Sequence, residues 1–270
     1  MDTSTFRQRV RARAGPVPAA GDAQCHTTRP PRQNKNPGLG LLLVALWVAV
    51  VQGQTPDGAW PPFLGSRTGY PADVVADVER VWVSPTLTRT VRGELARVPF
   101  ELYAALVDSP EVTAAAARFL GLARYEVEAL ADGWYRATDH DGARGVYRVL
   151  LREPTRRVML SRGEHAGALL GRIHGSALTV LEFTPTKGGV QPELTALVRI
   201  DNPVAAALAR ILVAIFGYVA DRKLSEGFAV TARVAEWAME QPGEFCEWLT
   251  QEPLPPKARE RVAAVLSRCP

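Results

Sequence analysis

The chain has 270 residues, 47% hydrophobic and 22% charged, which is the composition of a folded protein and excludes wholesale disorder. Its formal charge is +4, yet seven of the 32 Lys and Arg and two of the 28 Asp and Glu lie in residues 1–53, leaving 25 against 26 in the rest. The basic character belongs to a leader, so no nucleic-acid partner is expected.

The first predicted element is the unbroken apolar run Gly38–Val51, 14 residues long. A helix needs about 20 residues to cross a bilayer, so this run suits the core of a secretory signal peptide, with Lys35 just upstream. Val51 and Gly53 supply the small residues of a cleavage site. Cleavage is expected near Gly53, and export to a periplasmic or extracellular location; an uncleaved anchor is the alternative. Residues 1–36 are rich in Arg, Pro and Ala and exceed a normal basic n-region. They read as a start codon assigned too far upstream, or else as a disordered basic arm, and Cys25 and His26 enter no site.

Residues 54–69 are rich in Gly and Pro and read as an extended lead-in. A short helix follows from Pro71, with Val74, Val75, Val78 and Val81 at helical spacing. Thr86–Arg97 reads as a strand. Pro99 then opens two short consecutive helices, the second capped by Ser109, started by Pro110 and closed by Gly121. From Arg124 to Asp201 the period becomes two, predicting strands at Arg124–Leu130, Gly133–Asp139, Ala143–Leu151, Arg156–Arg162, Ile173–Phe183 and Glu193–Ile200. The short links between them predict antiparallel hairpins.

Helix returns after Asp201-Asn202-Pro203. Residues 204–219 are apolar save Arg210, and the stretch beyond is amphipathic. An unbroken helix from 204 to 240 would be about 55 Å long at 1.5 Å per residue, so a bend or break is expected between Gly217 and Leu224. Residues 241–270 form a helical hairpin around a Pro-rich turn. It carries Cys246 and Cys269, either a disulfide or two thiols.

Catalytic motifs are scarce. Asp139-His140-Asp141-Gly142 has the composition of a hairpin turn, and Glu164-His165 fits an exposed loop after a strand. Neither has the further ligands a zinc site needs. Ser161, Ser176 and Ser225 lack the glycine context of a nucleophile elbow, and there is no phosphate-binding glycine loop. No catalytic residue, metal ligand or cofactor is assigned. His174 and Glu182 share a strand parity: facing a cavity they would be polar anchors, facing outward they are solvated, and the rarity of unpaired buried Glu favours the outside. Tyr125, Trp134, Tyr147 and Phe216 read as pocket lining or as ordinary core.

The element order resembles the helix-grip fold of the START-like superfamily, which includes lipid-transfer domains, pollen-allergen proteins and polyketide cyclases. The resemblance spans residues 86–240 and rests on three segments. TLTRTVRGELARVPFELYAALVDSPE (86–111) looks like the opening strand, proline turn and first helices. IDNPVAAALARILV (200–213) looks like a last strand leading into a hydrophobic lid, and KLSEGFAVTARVAEW (223–237) like a grip helix. It implies an α+β fold in which a curved antiparallel sheet of about seven strands wraps a long C-terminal helix. Residues 54–85 and 241–270 lie outside that pattern.

The implied function is a non-enzymatic binding protein for a lipid or other apolar small molecule, held between sheet and helix. Tyr125, Tyr147, His174, Glu182, Ala196 and Phe216 are its candidate ligand contacts, and the apolar helix suits transient membrane contact. Two alternatives stand beside it. One is a cyclase- or hydrolase-like enzyme relying on His174 and Glu182; the other is an envelope interaction protein with a filled core. The oligomeric state is left open.

Overall fold

The structure is a computed structural model that describes residues 59–139, 142–167, 171–266 and 269, with the side chains of 208–220 and 222–224 outside that description. The leader and its cleavage site, His140 and Asp141 of the hairpin turn, and the side chain of Phe216 fall outside the described residues.

The fold is α+β. Seven antiparallel strands form one sheet: β1 (Leu87–Arg92), β2 (Glu126–Ala129), β3 (Trp134–Thr138), β4 (Ala143–Glu153), β5 (Arg156–Gly167), β6 (Gly171–Thr186) and β7 (Gly189–Ile200). Their order is β1-β7-β6-β5-β4-β3-β2, so sequential hairpins build the sheet and β7 returns to pair with β1. β5 and β6 run further than their alternation suggests, and Glu164 and His165 are strand residues rather than a loop. Gly163 reads as loop punctuation in one dimension. In the sheet it pairs with Gly145 on one side and Gly175 on the other.

The outer face of the sheet is covered by α1 (Ala72–Val83). Its buried Val74, Val78 and Val81 recur at helical spacing and meet Val158, Leu160, Leu178 and Leu197 from three strands. The segment before α1 is not simply extended. It makes short 3-10 turns at Pro62–Leu64 and Arg67–Gly69, buries Leu64, and packs Trp60, Phe63 and Tyr70 on the same core. Tyr70 donates its hydroxyl to the Leu150 carbonyl at 3.2 Å, fixing this strap to β4.

Between β1 and β2 lie α2 (Phe100–Val107) and α3 (Pro110–Leu120), the two short helices expected. Gly121 ends α3 at φ 72°, a left-handed conformation that suits glycine. Ser109 occupies the N-cap of α3 without a capping bond. It is fully buried, and its hydroxyl accepts from Arg261 at 3.3 Å.

After β7, Asn202 caps α4 (Pro203–Glu240) through bonds from Val204 and Ala205. The expected break is absent: α4 runs unbroken for 38 residues. No proline follows Pro203 in this stretch to remove a backbone bond, and an isolated glycine such as Gly217 costs a helix only about 1 kcal/mol. The C-terminal end of α4 is held by an aromatic cluster. Trp237 stacks on Phe119 of α3 at 5.4 Å and meets Phe245 and Trp248 of α5 (Pro242–Gln251) edge-on or tilted. α6 (Pro256–Ala263) completes the hairpin, and Cys246 and Cys269 are bonded, with Cα atoms 5.2 Å apart.

Candidate functional site

Strand parity divides the sheet into two unlike faces. The outer face, under α1 and the strap, is packed with Val158, Leu160, Leu178 and Leu197. The inner face carries Tyr135, Tyr147, Met159, Ser161, Ala177 and Val198, all only half-buried.

A cross-strand row explains the difference. Register places Val127, Ala137, Gly145, Gly163, Gly175 and Ile200 side by side across β2 to β7. Three adjacent strands thus present glycine at one level. An added Cβ on Gly145 or Gly175 would meet a neighbouring carbonyl oxygen at 2.5 or 2.6 Å, so nothing larger fits without moving the backbone. Over this floor opens a hollow of ≈490 Å³, bordered by Ala137, Ser161, Ala177, Val198 and Ile200.

Two further spaces adjoin it. One of ≈210 Å³ lies toward the α2–α3 turn, lined by Tyr125, Tyr135, Tyr147, Met159, Arg152 and Arg157 among others. The other, ≈650 Å³, is a cleft between residues 122–125 and the Glu226–Arg233 stretch of α4. Tyr125 lines all three.

The tyrosine end has a fixed electrostatic frame. Asp108, in the α2–α3 turn, accepts two bonds from Arg157 at 2.7 Å each and one from Arg152 at 2.5 Å. Arg157 is buried and lies over the Phe183 ring at 5.0 Å. Burial pushes the Asp108 carboxyl upward, but the guanidiniums of Arg157 and Arg152 outweigh it and hold the group below its ordinary value. Tyr135 and Tyr147 stack at 5.0 Å. Burial raises the hydroxyls of Tyr147 and Tyr125 above their ordinary range, so both are neutral donors at physiological pH.

Of the residues singled out by sequence, Tyr125 and Tyr147 come together here. Ala196 is on the inner face but is buried between Arg89 and Thr179, one inner-face step from the hollow that Val198 borders. His174 and Glu182 share the outer-face parity; His174 nevertheless borders the ≈490 Å³ hollow together with Tyr125, Glu164 and His165, whereas Glu182 borders none of the described spaces. His174 lies 3.5 Å from Glu164, which also pairs with Arg144, and Glu182 accepts from Arg156 at 3.0 Å. Among the described residues no three His, Cys, Asp or Glu side chains converge as a metal site. The glycine row, Tyr135, Ser161 and the Arg152–Asp108–Arg157 cluster escaped sequence reasoning. Three in-strand glycines are the only local trace of the row, and they acquire meaning through register.

No protein-family model matches the chain, and no curated protein matches it in sequence. Among solved structures, a conserved protein from Geobacillus kaustophilus is 19% identical, covering 56% of this chain and 93% of its own at a TM-score of 0.39. A protein from Rhizobium leguminosarum is 18% identical over 56% of this chain and 94% of its own, TM-score 0.39. The structure of Ara h 8.0201 is 12% identical over 55% and 98%, TM-score 0.36.

Proposed function

We propose that the chain is an exported, non-enzymatic binding protein of helix-grip, START-like type, which holds an apolar small molecule or lipid between the inner face of its sheet and α4. The observation that carries this reading is the contrast between the faces. Large aliphatic side chains fill the outer face, whereas glycine, alanine and serine floor a ≈490 Å³ hollow on the inner one. That volume lies within the range of about 300–1,000 Å³ common to small-molecule sites. Removing a ligand's apolar surface from water supplies about 25 cal/mol per Å². Two short helices between β1 and β2 and a long helix after β7 accord with the family order.

The enzyme alternative needs His174 and Glu182 to act together, but only His174 borders the hollow, 3.5 Å from Glu164, while Glu182 pairs with Arg156 away from it. The interaction-protein alternative requires a filled inner face. Mass spectrometry of small molecules released from the purified protein tests the binding reading. Recovery of a stoichiometric apolar compound is the expected result; an empty protein that also takes up no apolar fluorescent probe would overturn it. Export is tested separately, by N-terminal sequencing from a bacterial host. A mature terminus near residue 54 is expected, and a protein that keeps residues 1–36 would refute cleavage.

A further inference from the structure

The inner face changes character along its strands. One inner-face step from the glycine floor, Ala137 of β3 gives way to Tyr135 and Gly145 of β4 to Tyr147. These rings, with Tyr125 and Arg152, border the ≈210 Å³ pocket. It is smaller than the roughly 300 Å³ at which small-molecule sites begin, so it suits one end of a ligand rather than the whole. Tyr125 lines both it and the ≈490 Å³ hollow, making the two spaces neighbours.

The chemistry of this end is one-sided. Its walls are apolar, through Val127, Val149, Met159 and Leu181. The hydroxyls of Tyr125 and Tyr147 are neutral donors, and neither they nor the Tyr135 hydroxyl has a hydrogen-bond partner among the described residues. Arg152 adds a guanidinium. It shares the single carboxylate of Asp108 with Arg157, so two positive groups face one negative group. Glu111, the other carboxylate near Tyr147, is buried in the first turn of α3 and does not line the pocket. A ligand that brings acceptors would take up these donors within an apolar-walled pocket, where a hydrogen bond is electrostatically stronger than in water. A carboxylate offers two oxygens with about four lone-pair sites and complements the guanidinium.

Resting on the binding reading above, we propose that the ligand is a single-chain amphiphile with a carboxylate head. The head is held by Arg152 and the hydroxyls of Tyr125, Tyr135 and Tyr147, and the tail lies over the Gly145–Gly163–Gly175 floor.

Displacement of a neutral apolar fluorescent probe from the full chain by dodecanoate, dodecanol and dodecylamine tests this. Dodecanoate is expected to bind about tenfold or more tighter than dodecanol, the worth of one hydrogen bond between charged groups, and dodecylamine weakest. Arg152→Gln is expected to weaken dodecanoate binding far more than dodecanol binding, removing most of the preference for the acid. Because Arg152 also supports Asp108, the double variant Tyr135→Phe/Tyr147→Phe, which keeps ring packing, is expected to narrow the same preference. Equal affinity for acid and alcohol, or a preference untouched in both variants, would overturn the carboxylate assignment and leave the binding reading standing. Failure of all three compounds and of the probe to bind would overturn both.

Discussion

Arg89 on β1 holds Asp221 on α4 through two parallel hydrogen bonds, Nε to Oδ1 and Nη2 to Oδ2, each 2.6 Å long. The pair fixes the middle of the long helix to the sheet's edge strand. Seven residues on, Phe228 lies so close to Gly93 that a Cβ there would sit 2.5 Å from its ring. The hydrogen bonds from Arg89 hold the Asp221 carboxyl below its ordinary value. The stabilisation is therefore present above about pH 3.9, the unfolded value, and is lost as pH falls through the lowered folded one. Both side chains are 38% exposed, so solvent screening limits the pair to less than about 1 kcal/mol.

Asp221→Asn is accordingly expected to leave the melting temperature almost unchanged while speeding amide exchange in residues 203–221, measured by hydrogen-exchange mass spectrometry. Exchange identical to wild type would mean that other contacts hold this half of α4.

Asp108→Asn is expected to behave differently, because its partner Arg157 is buried. Removing one member of a buried pair strands the other charge and costs about 3–5 kcal/mol. The Asp108 carboxyl is held low, so its contribution exists above about pH 3.9 and disappears on acidification through the folded value. Urea unfolding should show a large gap between wild type and variant at neutral pH that closes in strong acid. A gap independent of pH would assign the effect to packing.

Substitutions on the two faces of the sheet are expected to separate stability from binding. Leu160→Ala removes a fully buried outer-face side chain and should cost about 2–5 kcal/mol. Ala177→Phe projects into the inner hollow and should keep most of the melting temperature while weakening uptake of an apolar fluorescent probe. Ala196→Trp, at a buried position bordering none of the described hollows, should overpack by about 1–3 kcal/mol. Thermal melts with probe titrations check all three. Ala177→Phe melting as low as Leu160→Ala would make the inner face ordinary core.

Reduction of the Cys246–Cys269 bond, which closes a separation of 23 residues, is expected to lower stability by about 3 kcal/mol in the chain-entropy model. Intact mass after alkylation without reductant should show neither of these cysteines labelled. Labelling of both would refute the bond.

Much of the architecture was legible in local pattern. Proline and glycine at Pro99, Pro110 and Gly121 mark helix ends because they restrict or permit particular backbone angles, and α2 and α3 fall between them. Alternation with short turns announced the antiparallel hairpins. The extent of β5 and β6 was not legible, since in-strand glycines resemble loop signals until their partners are known. The continuity of α4 is a different case: its length exceeds what a small domain suggests, yet no proline after Pro203 interrupts its backbone bonds.

By itself, the sequence determined the kinds of elements, their order and the hairpin pairing, because these follow from periodicity and turn chemistry among near neighbours. Only the tertiary structure decided which face is filled and which is hollow. That depends on register between strands distant in sequence. Pairing sets Gly145, Gly163 and Gly175 at one level and aligns Tyr135 with Tyr147, while placement of α1 and the strap commits the large aliphatic residues to the opposite side. A one-residue slip would exchange the faces, so the inner site is a property of register rather than of any single segment.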